Sequence, residues 1–495
     1  MMHFDKSLDK INASITAILE RGIWLGSFCI LILLPIPYLL GVSNFSSVLL
    51  GLLLCAVALV LGLNEPKSER QVFLSLFTWS YLVRICALLT LSWVLYPGEA
   101  TFLGPDGSNY FKISLALEAD GLPLPKDLIY ALESYHVAPY YLFASVLHVF
   151  DGDLFALQLL NSGMGALVSP LIFSWCRSAA PRYAVPMGVI VAMYPSLIAL
   201  SAKDLLKDPS VLFFTVLAIW SLTKILQSRS IISLVALTFS GAMSLTYLHL
   251  ARFYLVVYFE VVVIFVLLLC LLRRVPIFQI TRRSGVALFI LFIVAEVGPM
   301  ALGWPSSFGL FSQNLLYTLG TPSMRYSSPG LFEVVRAHIE NSQIAGWLVA
   351  VVNALINVFR KLYGPFVWIL PEQWNIVYIF ADEFLLYPGM LIWYSLLPFI
   401  GAGFAIMSFG IISGREKNPA LIGLWAFIFL YFVHYLSINL SVRHREVMVP
   451  LLLVPAFVGV ESTTKYPRWR KLYCAYWVSI ICVAAGHLVL RKLTF

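Results

Sequence analysis

The residues best placed for chemistry follow a long apolar run that ends near residue 96. There the chain reads Gly104-Pro105-Asp106-Gly107-Ser108-Asn109-Tyr110. A Gly-Pro-Asp-Gly turn predicts one carboxylate at a membrane face, just ahead of a helix over 109–119, with Tyr110 one helical turn beyond Asp106. Such a carboxylate suits a general base that takes a proton from a hydroxyl, or an N-cap of the following helix.

The elements that position this turn must be membrane helices, because the composition excludes a soluble chain. Hydrophobic residues make up 60% of the 495 residues, charged residues make up 12%, and the mean hydropathy is +0.88. A soluble domain is about half apolar and about a quarter charged. The sequence therefore predicts an all-α polytopic membrane protein and excludes a secreted disulfide scaffold, a cytosolic enzyme and a nucleic-acid reader.

Apolar runs of roughly the ~20 residues that a membrane helix needs occur thirteen times. They lie at 22–41, 46–63, 71–96, 154–176, 184–200, 209–226, 231–248, 253–272, 285–303, 386–410, 419–438, 446–460 and 472–490. Two further stretches fit a crossing less well. The stretch 138–150 is too short, and 345–370 carries polar residues at helical spacing, which is typical of an interfacial helix.

The distribution of charge indicates how these runs are threaded. If both 138–150 and 345–370 lie outside, the inner connections contain nineteen Lys and Arg against seven Asp and Glu. A crossing by 138–150 would move Arg177 and Arg182 outside and break this pattern. The positive-inside rule therefore favours thirteen spans with two external juxtamembrane helices, and large external segments at about 97–153 and 304–385.

The order of parts between residues 72 and 230 has a specific pattern. A span with a mid-membrane Arg84 precedes the external Asp106-x-x-x-Tyr110, and a proline-led helix follows at Ala138-Pro139-Tyr140-Tyr141. Asn161 in the next span and an external Tyr194-Pro195 complete the pattern. This order resembles the GT-C superfamily of integral-membrane glycosyltransferases, and within it the protein O-mannosyltransferase and aminoarabinose-transferase branch, glycosyltransferase family 39.

The resemblance implies a GT-C-like fold with its active cavity at the outer leaflet. It implies transfer of a sugar, with inversion, from a polyprenyl-phosphate or pyrophosphate carrier to a lipid, glycan or protein acceptor. Asp106 is then the general base and Asp204 an assisting acid. The expected setting is a bacterial inner membrane with the site facing the periplasm, with membrane lipid and no nucleic acid among the partners. No cofactor is certain, and a divalent metal is left open.

Basic residues on the same predicted face are candidates for holding the donor phosphate. Arg252 ends the tight Tyr247–Arg252 connection between the seventh and eighth spans, and guanidinium groups match phosphate oxygens well. Snorkelling into the headgroup layer is the alternative. The expected substrate-binding set is Tyr110, Lys203, Lys207, His249, Arg252, Arg443, His444 and Arg445.

The stretch Ser201–Pro209 carries two of these candidates, Lys203 and Lys207, together with the expected assisting acid Asp204. Lys203, Asp204 and Lys207 would share one helical face at the membrane surface, and a solvated charged face is the alternative to a site. Asp208 followed by Pro209 is typical of an N-cap with proline at the first helical position.

Three charged residues lie inside predicted spans, where charge is costly. Glu260 and Glu296 lie in neighbouring spans, and we expect Arg84 to pair with one of them. A transporter or lipid flippase would use the same three residues as a relay, and this is the chief alternative function.

These expectations divide the chain into four parts. They are an amphipathic N-terminus with two extra spans (1–70), a GT-C-like catalytic module (71–303), a second external segment with interfacial helices (304–385) and C-terminal spans (386–495).

Overall fold

The computed structural model describes residues 2–41, 43–90, 105–121, 137–151, 153–202, 205–228, 230–273, 282–301, 305–307, 309–310, 384–416, 418–437, 447–463 and 466–494. Every secondary-structure element among these residues is helical, so the predicted all-α class is confirmed. They form two compact units, Met1–Gln313 with Ser413–Phe427, and Asn314–Ile412 with Ile428–Phe495.

The first unit contains the helices that bear on function. They are α1 (Met2–Leu33), α2 (Ile36–Leu39), α3 (Phe45–Leu63), α4 (Lys67–Leu89), α5 (Pro105–Ala119), α6 (Ala138–Phe150), α7 (Leu154–Ala179), α8 (Ala184–Met193), α9 (Pro195–Ala202), α10 (Asp208–Gln227), α11 (Ile231–Arg273) and α12 (Arg282–Ala301). A short 3-10 turn, Pro181–Tyr183, joins α7 to α8.

Four further helices follow, and they are α13 (Phe384–Ile412), α14 (Pro419–Ser437), α15 (Val449–Thr463) and α16 (Pro467–Thr494). Among the described residues, seven helices are long and apolar enough to cross a membrane, or eight if the bent pair α8 and α9 is one span. The chain is therefore a multi-pass membrane protein. All thirteen predicted runs contain helix, and the count of thirteen crossings stays a prediction.

Contacts between connections show which helix ends of the first unit lie together. One end, called here the basic end, is joined by bonds from Asn12 to Arg182, Glu69 to Arg177, Glu65 to Lys224 and Asn418 to Ala179. The opposite end, called here the Asp208 end, is joined by Asn44 to Asp151, Val137 to Leu250 and Asp208 to Arg252. The grouping agrees with the threading drawn from charge.

The helix α6 does not cross from one end to the other. Before its first residue, the Val137 N–H donates to the Leu250 carbonyl at 3.0 Å. Beyond its last residue, the Asn44 amide donates to the Asp151 carbonyl at 2.9 Å. Both termini of α6 therefore lie at the Asp208 end, as predicted for 138–150.

The helix α11 is 43 residues long, about 65 Å if straight, which is twice the hydrocarbon thickness of a bilayer. Its backbone is non-helical at one residue, Arg252, with φ −156° and ψ 73°. Residues 231–251 form a first arm and residues 253–273 a second arm. This break coincides with the predicted connection between the seventh and eighth spans.

Contacts with α10 show that the two arms run in opposite directions. Along the first arm, Tyr247 stacks on Phe214 at 4.0 Å, and a Cβ on Gly241 would lie 3.4 Å from that of Ser221. Along the second arm the order reverses, with Arg252 beside Asp208, and with Phe259 and Val266 sharing a groove with Ile219 and Leu226. The helix therefore doubles back at Arg252.

The predicted span 184–200 is bent, by 48° between α8 and α9. Tyr194 lies at the bend with an extended backbone, φ −68° and ψ 114°. Its neighbour Pro195 disfavours helical geometry at the preceding residue and has no N–H to donate. The bend separates the deep half of the span from α9, which leads into the predicted site.

In the second unit, α13 and α15 pack so closely that their backbones touch. A Cβ on Gly403 would meet the Pro455 carbonyl and would lie 2.8 Å from the Gly459 nitrogen. A Cβ on Gly459 would meet the Phe399 carbonyl in the same way. Small residues at such a crossing are typical of membrane helices, since close approach maximises van der Waals contact.

Candidate functional site

The centre of the candidate site is a buried ion pair at the Asp208 end. The Arg252 guanidinium donates to the Asp208 carboxylate, and the two residues are only 1% and 4% exposed. Asp208 is the first residue of α10, and Lys207 occupies the N-cap position. The predicted N-cap role of Asp208 is therefore wrong, because its carboxylate neutralises a buried guanidinium instead.

Aromatic side chains surround this pair. The Tyr247 hydroxyl hydrogen-bonds to the Ser210 hydroxyl at 2.5 Å, two residues after Asp208 on α10. From the second arm of α11, Tyr254 lies within electrostatic range of Arg252. These rings give the pair an apolar wall that carries polar hydroxyl groups.

The helix α5 brings Tyr110 against this cluster. The Tyr110 ring stacks on Tyr140 of α6 at 4.8 Å and is 8% exposed. Burial, then the Tyr140 phenol and the Asp208 carboxylate, raise the pKa of Tyr110 above its ordinary value, and Arg252 acts against this rise. Tyr110 is therefore a neutral hydrogen-bonding group within electrostatic range of the ion pair.

Asp106 lies one helical turn before Tyr110 on α5. The helix begins at Pro105, four residues earlier than predicted, so Gly104-Pro105-Asp106-Gly107 is not a turn ahead of the helix. Proline suits the first helical position, because its missing N–H has no intrahelical partner there. The correction places Asp106 in the first turn of α5, on a rigid element that also carries Tyr110.

Hydrogen bonds from α7 fix both ends of the segment between α9 and α10. The Ser162 hydroxyl donates to the Ser201 carbonyl at 3.2 Å, and the Asn161 amide donates to the Leu206 carbonyl at 3.0 Å. The Ser210 hydroxyl bonds to the Lys207 carbonyl at 2.7 Å. Both flanks of the predicted Lys203–Asp204 cluster are thus fixed at the Asp208 end.

Arg84 is fully buried beside the same segment. Its guanidinium donates to the Ser201 hydroxyl at 2.9 Å, the Ser80 hydroxyl at 2.6 Å and the Ala192 carbonyl at 3.1 Å. The expected pairing with Glu260 or Glu296 is therefore wrong. The last carbonyls of α8 carry the negative end of a helix dipole, and they attract the cation at the bend.

His249 belongs to a separate network one turn before Arg252. Its Nε2 lies 2.9 Å from the Pro305 carbonyl, and its Nδ1 lies 3.1 Å from the Ser307 hydroxyl. The Ser307 hydroxyl in turn donates to the Glu296 carboxylate, and Glu260 lies within interaction range of Glu296. The imidazole is fully buried, so it ties residues 305–307 to the first arm of α11.

The structure thus brings together Asp106, Tyr110, Lys207, His249 and Arg252 at one end of the first unit. The other predicted site residues lie outside the described residues, and they are Lys203, Asp204, Arg443, His444 and Arg445. Sequence reasoning missed Asp208, Tyr140 and Ser307 as partners. Asp-Pro at a helix start explained Asp208 locally, so nothing in the sequence pointed to its partner 44 residues away.

No group of three or more His, Cys, Asp or Glu residues within the described ranges is arranged to hold a metal ion. The polar groups gathered around Tyr110 suit hydrogen bonding and proton transfer. One carboxylate stands in the first turn of α5, and a second is fixed by a guanidinium. Such an arrangement can bind a polar group at a membrane surface and accept a proton from it.

Comparison with known proteins gives a fold likeness only. No protein-family model matches the sequence, and no curated protein matches it. The crystal structure of the Archaeoglobus fulgidus oligosaccharyltransferase in the apo form is similar, with a TM-score of 0.44 and 12% sequence identity. The likeness covers 86% of this chain and 55% of that one, so this chain spans about half the length of that protein.

Proposed function

We propose that this protein is a membrane glycosyltransferase that transfers one sugar from a polyprenyl-phosphate-linked donor to a lipid, glycan or protein acceptor. The reaction takes place at the Asp208 end, which we assign to the outer face of a bacterial inner membrane. The observation that supports the proposal is the position of Tyr110 on α5, within electrostatic range of the buried Asp208–Arg252 pair, with Asp106 one turn earlier on the same helix.

Asp106 is the proposed general base. It takes the proton from the acceptor hydroxyl as the oxygen attacks the anomeric carbon, while the donor phosphate leaves from the opposite face with inversion. Tyr110 orients a sugar or acceptor hydroxyl, because a neutral phenol both donates and accepts a hydrogen bond. Asp204, in the sequence between α9 and α10, is the proposed acid that assists Asp106.

The departing phosphate requires positive charge. Arg443 and Arg445 are its proposed ligands, with His444, Lys203 and Lys207 beside them, and stabilising developing charge is often the largest catalytic contribution. Arg252 can join them only by exchanging Asp208 for the phosphate. While the pair is intact, its charge is neutralised and it holds the turn of α11 in place.

The experiment measures transfer from a panel of radiolabelled polyprenyl-monophosphate and pyrophosphate sugars in proteoliposomes. Asp106→Asn keeps the side-chain shape and removes its basicity. Transfer should fall at least ~10²-fold, the usual contribution of general base catalysis, with donor binding and thermal stability close to wild type. Near-normal transfer by this variant would remove Asp106 from the mechanism.

The phosphate ligands have their own test in the same system. Arg443→Lys or Arg445→Lys replaces a planar fork with a point charge, so donor binding should weaken markedly in at least one of the two. Arg273→Lys, at the basic end, is the matched control and should leave binding unchanged. If both site variants bind donor like wild type, Lys203 and Lys207 remain as the candidates.

One observation favours a second function, that of a proton-coupled transporter or lipid flippase. Glu260 and Glu296 lie within interaction range of each other inside the membrane segments, and intramembrane carboxyl groups are typical of proton and ion pathways. This function requires Glu260→Gln to abolish activity while Asp106→Asn is tolerated. The glycosyltransferase function requires that Asp106→Asn abolishes activity while Glu260→Gln is tolerated.

A further inference from the structure

The first unit contains an apolar groove away from the candidate site, with a cavity volume of about 120 Å³. An apolar cavity of about 150 Å³ binds benzene, so this groove can take a short run of hydrocarbon. Its walls belong to α7, α10, the second arm of α11, α12 and the start of α14. Representative lining residues are Trp175, Thr223, Phe259, Val266, Gly423 and Phe427.

The lining excludes water as the stable occupant. Thr223 carries the only hydroxyl among the lining residues, and this hydroxyl already donates to the Ile219 carbonyl at 2.9 Å. A buried water needs 2–4 polar partners, and apolar cavities instead take apolar guests. All the wall helices lie in a membrane protein, so the available apolar guest is a hydrocarbon chain of a lipid.

The groove lies toward the basic end of the unit. Phe259 is seven residues and Val266 fourteen residues beyond Arg252 along the second arm, about 10 and 21 Å at the helical rise. On α10 the wall reaches Leu226, one residue before the helix ends. A lipid chain in the groove therefore has its headgroup at the basic end, opposite the proposed donor site.

Positive charge gathers where that headgroup would lie. Every wall helix has a basic residue at or near its end there, and these are Arg177 on α7, Lys224 on α10, Arg273 on α11, Arg282 on α12 and Arg415 just before α14. Two of them, Arg177 and Lys224, are paired with Glu69 and Glu65. In the first unit, the connections assigned to this end hold fifteen Lys and Arg against six Asp and Glu, and this surplus of positive charge attracts anionic lipid.

We propose that this groove binds one acyl chain of an anionic glycerophospholipid, with the lipid phosphate among the basic residues at the groove mouth. The lipid belongs to the leaflet at the basic end and is a structural ligand of the bundle. The inference is independent of the glycosyltransferase proposal, because it uses neither Asp106 nor the Asp208–Arg252 pair.

The test fills the groove by Gly423→Leu. A Cβ at Gly423 would lie 3.5 Å from Val262 and 3.7 Å from Val266, which is ordinary contact, so the first carbon fits and the rest of the leucine occupies groove space. The matched control is Gly401→Leu on α13, where no atom lies within 4 Å of an added Cβ. Both variants place the same side chain on a helical glycine.

Each protein is reconstituted with equal phosphatidylglycerol and phosphatidylcholine, and native mass spectrometry then counts the retained lipid. Wild type and Gly401→Leu should retain one phosphatidylglycerol, and Gly423→Leu should retain it at least about tenfold less, as expected for overpacking. Arg415→Gln should lower the preference for phosphatidylglycerol. If Gly423→Leu fails to fold, Ala420→Leu on the same wall replaces it.

Two outcomes would overturn the proposal. Equal retention by wild type and the groove-filling variant would mean that the lipid binds elsewhere. Equal retention of the two phospholipids by wild type would mean that the headgroup makes no charge-specific contact. Absence of sugar transfer by the wild-type protein, together with selective lipid retention, would count against the glycosyltransferase proposal alone, so the two proposals fail separately.

Discussion

The Asp208–Arg252 pair offers the sharpest test of how the site is held together. Asp208→Asn leaves a guanidinium that is 1% exposed without its carboxylate. Breaking a buried pair by removing one partner costs about 3–5 kcal/mol, because the remaining charge is desolvated and uncompensated. Arg252→Met leaves the buried carboxylate in the same condition, so its cost should be similar.

The double variant Asp208→Asn/Arg252→Met separates this reasoning from simple loss of packing. It removes both charges, and replacing a whole buried pair by neutral side chains is often neutral or stabilising. Each single variant should therefore lower the Tm by roughly 6–20 °C, since about 2–4 °C accompanies each kcal/mol in mid-sized domains. The double variant should recover at least half of that loss.

The assay follows thermal unfolding of detergent-solubilised protein by tryptophan fluorescence, with all four proteins at one lipid content. Donor binding is measured in parallel, because the double variant is expected to restore stability without restoring any role of Arg252 toward phosphate. If the two losses simply add in the double variant, the residues are not coupled, and the ion pair does not organise this end of the unit.

Two further predictions concern the rest of the molecule. Gly403→Ala should destabilise the second unit by several kcal/mol, because the new Cβ meets the Pro455 backbone on α15. The control Gly401→Ala should be neutral or stabilising, because nothing lies near its added Cβ. Urea-dependent unfolding of both variants measures the difference, and equal stability of the two would contradict the close crossing. Introduced cysteines at Ser134 and Ser306 should react with an impermeant thiol reagent in intact cells while one at Ser228 should not, and the opposite labelling would invert the threading.

Much of the fold was predictable from single runs of sequence, because the length of an apolar run is a local signal. The predicted runs 209–226 and 231–248 correspond to α10 and the first arm of α11 with small shifts at the boundaries. Charge at the connections also gave the non-crossing role of 138–150. The start of α5 was misread, since Pro105 suits both a turn and a first helical turn, and only the backbone distinguishes them.

The side-chain partners at the site could not be predicted in the same way, because each depends on a contact between distant segments. Asp208 and Arg252 are 44 residues apart, and Arg84 reaches Ser201 across 117 residues. A buried charge signals only that it needs a partner, and either carboxylates or the carbonyls at a helix end can satisfy an arginine. Arg84 was expected to pair with a carboxylate. It instead donates to the Ala192 carbonyl, because the bend at Tyr194 exposes that carbonyl beside it. The same bend sets the direction of α9, so a backbone feature set by Pro195 both satisfies the buried arginine and places Ser201, which Arg84 and α7 both contact.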